Sequence, residues 1–357
     1  MKEIIKNSLF TAILMTCGVV YSSCDDWTEP ESVTLHSPSI EEQNPQLYAD
    51  YLKNVRLYKQ SEHKFMIAKF DNKQTAPTGQ GERLSALPDS IDYVILNNPD
   101  NLGETIVSEM AEIREKKGTK TLFSIDYTAI EEEYLTKQEG TAEGVTEGAE
   151  GTKEPETDGF PEFCSQRVEE CLALFNKYTY DGINVVYNGI SPQTLSGTER
   201  EKLKARQDAF FEKVSNWKAS HADAVMLFEG TPHNLLSDKS ILLQAQFITI
   251  PAADVTSRNQ LLSAVEASLT EEVPSDRILF GIRTINPEDA SEGYFTDLTA
   301  NGTPMTAIIG AAYSAIASKG NFTKAGLCVE SAQNDYYNTP KNYKNIREAI
   351  AIMNPSF

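Results

Sequence analysis

From residue 63 onward the apolar pattern of this 357-residue chain switches eight times between a short β-rich run and a longer polar or helical stretch. No other feature constrains the fold as much. Short runs that are apolar throughout must be buried on both faces, which is the situation of parallel strands covered by crossover helices. The strands are predicted at Phe65–Phe70, Tyr93–Asn97, Thr121–Ile125, Gly182–Tyr187, Val225–Phe228, Phe247–Ile250, Ile278–Ile282 and Gly326–Val329. Helical spacing falls between them, over Leu102–Lys117 with Gly118 as its C-cap, Phe163–Tyr178, Thr198–Ala219, Arg258–Leu269, Pro304–Ser318 and Tyr343–Met353. Only the first connection, Thr75–Ser90, offers little helical pattern. Eight regular units predict an α/β fold closed as a (β/α)8 TIM barrel, with a doubly wound open sheet as the alternative.

The two ends frame this domain. Lys2 and Lys6 precede the nearly uncharged stretch Leu9–Tyr21, which at 13 residues is too short to span a bilayer and suits an export signal. It ends at Tyr21-Ser22-Ser23-Cys24, small residues before a cysteine, as lipoprotein signal peptidase requires. Cys24 is therefore the expected lipidation site, and two or three acyl chains on one terminus would anchor stably. The polar run after it (Asp25, Asp26, Glu29, Pro30) resembles the surface-export signal of lipoproteins from the Bacteroides group. The expected organisation is a signal peptide over 1–23, an acylated tether over 24–45 and the barrel over 46–357. An extra helix at Gln46–Lys59 would join tether to barrel.

Charge and composition exclude several function classes. The formal charge of −20 argues against nucleic acid, whose phosphates need a basic surface. Residues 128–160 hold ten acids and two bases, hence −8, in a Gly/Thr/Glu-rich stretch that is expected to be a mobile surface insertion. The four histidines show no metal spacing, so neither a structural nor a catalytic zinc is expected, and no cofactor is implied. Cys164 and Cys171 lie seven apart on a helix, about 10 Å between Cα atoms, too far for a disulfide. With Cys328 they are expected to be buried thiols.

Function in such barrels sits where the strands end at the C-terminal face. The residues there include Asp71, Asn97, Asn98, Asp126, Tyr127, Asn188, Glu229, Asp254, Arg283 and Glu330. Carboxylates and amides of this kind suit sugar hydroxyls. Aromatic platforms would have to come from tyrosines such as Tyr127, Tyr187, Tyr294, Tyr336 or Tyr337, since Trp27 lies in the tether and Trp217 on an outer helix. Strand neighbours alternate faces, so Tyr187 could instead point outward beneath a helix. The loops Ile285–Ala300 and Asn334–Tyr337 are long enough to wall a cleft.

The fourth strand, Tyr180-Asp181-Gly182-Ile183-Asn184-Val185-Val186-Tyr187-Asn188, resembles the Y-D-G-[IVL]-D-[IVFL]-D-x-E signature of glycoside hydrolase family 18, the family of chitinases and endo-β-N-acetylglucosaminidases. Asp181 and Gly182 match; Asn184, Val186 and Asn188 stand where the second Asp, the third Asp and the Glu belong. Weaker matches are Ser124 on the third strand and Asp254 after the sixth, while the aromatic that chitinases carry on their eighth strand is missing. The resemblance implies a sugar cleft and names what has been lost. In this family the Glu protonates the leaving oxygen, and the substrate's own acetamide, oriented by the third Asp, attacks the anomeric carbon. Asn188 has no transferable proton and Val186 cannot hold an acetamide.

Three readings follow. The first is a non-catalytic, surface-anchored lipoprotein that holds N-acetylglucosamine-containing oligosaccharide, N-glycan-like, before uptake by an outer-membrane transporter complex. Asn188 is then the first ligand contact to test, and Asp181 a structural residue. The second is an enzyme with relocated carboxylates, Glu229, Asp126 or Glu330. The third is a structural subunit of a glycan-uptake complex. Anchoring is testable directly: metabolic labelling with a tagged fatty acid should mark the wild-type chain and spare Cys24→Ala, and equal labelling of both would refute acylation at Cys24.

Overall fold

The computed structural model describes residues 39–142, 158–289, 291–338 and 340–355. Cys24, the signal stretch and the tether up to residue 38 lie outside them, as does 143–157 of the acidic insertion. The chain divides into two units, Met1–Ala49 and Asp50–Phe357. In the first, helix α1 (Ile40–Gln43) opens with a capping box in which Ser39 and Glu42 satisfy each other's backbone N–H. Helix α2 (Pro45–Gln60) begins there and ends in the second unit, where Leu52, Val55 and Tyr58 are its buried positions.

The second unit holds a closed, all-parallel eight-stranded barrel. In chain order it runs β1 (Phe65–Phe70), β2 (Tyr93–Leu96), α3 (Glu104–Lys117), β3 (Lys120–Asp126), α4 (Tyr127–Ala142), α5 (Phe160–Lys177), β4 (Gly182–Tyr187), α6 (Gly197–Ser220), β5 (Val225–Gly230), α7 (Ser240–Gln244), β6 (Phe247–Pro251), α8 (Arg258–Ser268) and β7 (Ile278–Arg283). A hairpin of β8 (Tyr294–Leu298) and β9 (Pro304–Thr306) follows, then α9 (Ala307–Ile316), the last barrel strand β10 (Lys324–Glu330) and α10 (Lys344–Met353). β10 closes the ring by pairing with both β1 and β7. All eight expected strands are present, and the open sheet is excluded. The first connection holds two 3-10 turns, Gln80–Glu82 and Leu84–Ala86, in place of a helix.

Two expectations need correction. Residues 127–142 form helix α4 and not a loop, with Ile130 packed in the core. The apolar residues Ile130 and Tyr134 recur at helical spacing beneath the charged composition, and Tyr134 packs against Phe160 and Phe163. Arg206 on α6 then pins both flanks of the insertion. Its guanidinium donates to both Asp158 oxygens (2.6 and 3.0 Å) and to Glu131 (2.6 Å), and it lies over the Phe160 ring. Second, the stretch read as a helix from Pro304 starts helical only at Ala307, because Pro304–Thr306 is extended and pairs with β8.

Two glycines show how tightly the barrel is drawn. Gly118 ends α3 in the left-handed conformation, φ 70°, where its N–H reaches back to Arg114. Gly182 opens β4 where a Cβ would come within 2.0 Å of the Val225 carbonyl oxygen, so no larger residue fits. The Asp181 carboxylate beside it accepts from Arg114 Nε (2.7 Å) and from the Thr121 backbone N–H (2.8 Å), tying α3, β3 and β4 together.

At the N-terminal end of β1 sits an imidazole between two acceptors. His63 Nδ1 faces the Ser61 carbonyl at 2.8 Å and Nε2 faces Asp92 Oδ1 at 2.9 Å, with the ring shielded from water. Only the doubly protonated ring satisfies both. Burial and the Lys59 ammonium work against the charge, but the bonds to Asp92 and Ser61 outweigh them and raise the His63 pKa. The unfolded chain has the ordinary value, about 6.5. The stabilisation is therefore full below that pH and is lost as pH rises through the higher folded value. The thermal midpoint of the wild type, relative to that of His63→Gln, should fall across this window, and parallel curves would refute the assignment.

Candidate functional site

Strand alternation sorts the barrel interior into layers. The lower layers are apolar: Ile67, Tyr93, Ile95, Leu122, Val225, Leu227, Phe247, Leu279 and Cys328 pack together. Two residues further along the same strands the side chains turn polar. Lys69, Ser124, Asn184, Glu229 and Thr249 occupy these positions, and Asn97, Asp126, Val186, Asn188, Pro251 and Glu330 stand around the mouth. Asp126, Val186 and Glu229 lie side by side in register on three neighbouring strands. A cavity of about 480 Å³ opens here, with Glu133, Arg167 and Cys171 from α4 and α5 on its rim.

The floor of this cavity is a hydrogen-bonded charge cluster. Glu229 Oε1 accepts from the Lys69 ammonium at 2.7 Å, and Oε2 accepts from Asn184 Nδ2, also at 2.7 Å. Asn184 Nδ2 lies 3.2 Å from Ser124 Oγ. Lys69 and Glu229 side chains are 17% and 5% exposed, so the pair is largely withdrawn from water. Burial opposes the Lys69 charge, but Glu229, with Glu330 behind it, more than compensates and holds the ammonium above its usual range. The cluster explains Asn184 physically. An aspartate there would put a second carboxylate against Glu229, whereas the amide donates to it. The Asn184 carbonyl oxygen is buried without a partner, an acceptor at the cleft floor.

Both Glu229 oxygens are thereby engaged, one by an ammonium and one by an amide. Asp126 and Glu330 differ. Burial pushes both carboxyls up; the Thr128 and Ala129 N–H groups pull Asp126 part of the way back, and Lys69 does the same for Glu330. Both remain above the ordinary carboxylate range. The titratable surface of the cavity is thus mostly acidic, Asp126, Glu133, Glu229 and Glu330 against Lys69 and Arg167. That balance disfavours an anionic ligand and suits a neutral polyhydroxylated one.

The structure gathers Asn97, Asp126, Val186, Asn188, Glu229 and Glu330 at one cavity, as expected for strand-end residues. It places others elsewhere. Tyr127 and Tyr187 are not platforms. They are 1% and 0% exposed, pack edge to face 5.1 Å apart beneath α6, and Tyr187 accepts a short hydrogen bond from Gln207. Both point outward because they alternate with the inward Asp126, Val186 and Asn188. Asp71 does not line the cavity; it accepts from Asn98 Nδ2 at 3.1 Å and its N–H donates to Gln333. Asp254 is exposed beyond β6. Arg283 lies outside the cavity lining, pairing with Glu292 at 2.9 Å and more distantly with Glu330 at 3.9 Å. Glu229 therefore pairs with Lys69 and not with Arg283. Of the thiols, Cys164 and Cys328 are buried, while Cys171 is half-buried at the cavity rim.

Sequence reasoning missed Lys69. It sits in the apolar run Phe-Met-Ile-Ala-Lys-Phe, whose pattern reads as a core strand. The signal was present: a lysine inside a strand buried on both faces needs an anion, and Glu229 at the end of an equally buried strand was the available one. Among the described residues no group of three or more His, Cys, Asp or Glu is placed to hold a metal ion.

Compared with known proteins, the chain matches the family model described as glycoside hydrolase family 18, BT1044-like, over residues 28–352. A solved selenomethionine form of BT1044 with a Glu-to-Gln substitution is 18% identical, with a TM-score of 0.62, covering 89% of this chain and 96% of that one. The apo endo-β-N-acetylglucosaminidase of Cordyceps militaris is 15% identical, TM-score 0.60, covering 86% of this chain and 96% of its own. An Asp-to-Asn, Glu-to-Gln variant of the Cordyceps enzyme in complex with fucosyl-N-acetylglucosamine-Asn gives 16% and 0.58, covering 85% and 95%. At these identities the likeness to solved structures is one of fold. No curated protein matches the sequence.

The buried pair sets a stability test. Lys69→Met leaves Glu229 charged, buried and held by one amide, and should cost about 3–5 kcal/mol in denaturant unfolding. Lys69→Met with Glu229→Leu should recover most of that loss. If the double variant is as unstable as the single one, Glu229 is not the reason Lys69 is needed.

Proposed function

The chain belongs to glycoside hydrolase family 18, BT1044-like, and from that membership and the make-up of its cleft we propose that it binds an oligosaccharide without cleaving it. One observation carries the reading. At the two positions on which the family's chemistry depends, the cleft presents Asn188 and Val186, an amide and an alkyl group. General acid catalysis contributes about 10²–10⁴ in rate, and an amide forfeits it. Hydroxyl recognition needs only donors and acceptors, which Asn97, Asn188 and the carboxylates of the mouth supply. Glu229 offers no replacement acid, since both its oxygens accept from neighbours. A ligand containing N-acetylglucosamine is in keeping with the family, and with the fucosyl-N-acetylglucosamine-Asn held by the Cordyceps variant. With Cys24 acylated, the cleft would be displayed from the outer membrane, holding glycan for a transporter partner.

A second reading, a hydrolase with a relocated acid, is supported by Asp126 and Glu330, whose carboxyls are pushed up by burial at the same cavity. Asp126 is the weaker candidate because it is tied to the start of α4 through the Thr128 N–H at 2.8 Å. Calorimetry on the soluble chain should detect an N-glycan core at micromolar to millimolar affinity, about −8 to −4 kcal/mol. Prolonged incubation should release no product. Asn188→Ala should weaken binding by about 1–3 kcal/mol if the amide bonds the ligand out of water. Turnover abolished by Glu330→Gln or Asp126→Asn would establish the hydrolase instead. No binding across a broad glycan array would point to a structural subunit.

A further inference from the structure

A second cavity, of about 490 Å³, opens beside the central cleft, where the loops after β1, β7 and β10 meet. Its walls come from Gly81 and Glu82, Ile285 and Pro287, and the segment Gln333–Asn338. It carries what the described lining of the central cleft lacks, an exposed aromatic ring. Tyr337 is 80% exposed yet not loosely placed. It stands edge-on to Tyr336, 4.8 Å between centroids. A Cβ on Gly81 would meet both rings at 3.2 Å, and one on Gly79 would meet the Tyr337 hydroxyl at 3.4 Å. The side chain thus rests on glycine backbone while most of its surface faces water.

The loop that presents it is built rigidly. The buried Asp335 carboxylate accepts from Asn338 Nδ2 (2.7 Å), Asn345 Nδ2 (2.7 Å) and the Ile346 backbone N–H (2.9 Å). Tyr336 packs on Tyr343 behind it. Exposing a large aromatic ring is unfavourable in itself, and fixing it by packing and a buried carboxylate means that little freedom is left to lose on binding. The cavity's chemistry narrows what could bind. Among the described residues no lysine or arginine lines it, so these walls offer no cation to a phosphate, sulfate or carboxylate. Glu82 accepts from Thr78 and the Gly79 N–H through Oε2 alone, which keeps one carboxylate oxygen in the lining as an acceptor for a hydroxyl, while the Asp335 carboxylate is taken up by its three donors. What else faces the space is Tyr337, the apolar edge of Ile285 and Pro287, and the amides of Gln333 and Asn334. An aromatic face with an apolar wall and neutral amides matches a pyranose ring, which is apolar on its face and hydroxylated at its edge.

From this we infer that the cavity at Tyr337 is a second carbohydrate site, one that stacks a neutral pyranose on Tyr337 independently of the central cleft. It adjoins that cleft through β1 and β10, where the Asp71 N–H donates to Gln333. A branched or extended glycan in the cleft would reach it, but the site does not require the cleft to be occupied.

The test uses the soluble chain labelled with fluorotyrosine, the Tyr337 resonance being the one missing from Tyr337→Phe. N-Acetylglucosamine, mannose and galactose are titrated separately, with glycerol as a polyol control. At least one sugar should shift the resonance saturably, with Kd on the order of 1–10 mM, and glycerol should not. The response should persist in Asn188→Trp, which places an indole at the mouth of the central cleft to obstruct it. A Tyr337 resonance that ignores all three sugars, follows glycerol equally, or stops responding in Asn188→Trp overturns the inference. The central-cleft reading fails separately: oligosaccharide affinity would be unchanged in Asn188→Trp while Tyr337→Ala lowers it about tenfold.

Discussion

The buried pair of Lys69 and Glu229 is the interaction around which the upper barrel is arranged. A closed parallel barrel must fill its own interior, and here the filling changes from apolar to polar or charged within two residues along several of the strands. Burying an ammonium costs several kcal/mol unless an anion is supplied at contact distance. That demand fixes Glu229, whose second oxygen then demands a donor, and the donor is Asn184. Asn184 in turn leans on Ser124. Four strands, β1, β3, β4 and β5, are thereby linked across the barrel interior, and the cleft above inherits a floor of fixed dipoles.

This linkage gives the changes in the fourth-strand signature a physical meaning. An aspartate ladder along one strand confines negative charge, which an enzyme uses to hold a proton and to stabilise a cationic intermediate. In this chain the buried anion is Glu229 on β5, neutralised by Lys69 of β1, and the β4 position beside it is an amide that donates to it. With the middle carboxylate replaced by a donor, the third replaced by Val186 and the last by Asn188, the strand coheres as a neutral element. A carboxylate at position 184 would be set directly against Glu229, where the amide donates to it.

The barrel was legible in the sequence because period and length agree: eight short apolar runs, each bounded by polar or glycine residues, leave few alternatives. Val225–Gly230 and Lys324–Glu330 extend past their apolar cores because a carboxylate at a strand's end still belongs to the ladder. The site was legible in part. Position along the strand placed Asn97, Asp126, Asn188, Glu229 and Glu330 at the mouth, but direction is a separate quantity, and it turned Tyr127 and Tyr187 into core. Helix α4 was hidden because its buried face is carried by few residues, Ile130 and Tyr134 among them, within a composition dominated by charge. Lys69 was hidden by the opposite disguise, one charge inside an apolar run. In both cases the minority residue decided the structure.

Arg206 has a bearing on how this protein can change over evolutionary time. By holding Glu131 and Asp158 on one guanidinium, it fixes both flanks of the segment 143–157 before that segment contributes anything. Lengthening a chain between fixed ends costs only about 0.6 kcal/mol per doubling. The flanks adjoin α4 and α5, the helices that also supply Glu133, Arg167 and Cys171 to the rim of the cleft. A change of length between Glu131 and Asp158 is thereby kept from the rim, because one guanidinium, and not the intervening chain, sets where the two flanks meet.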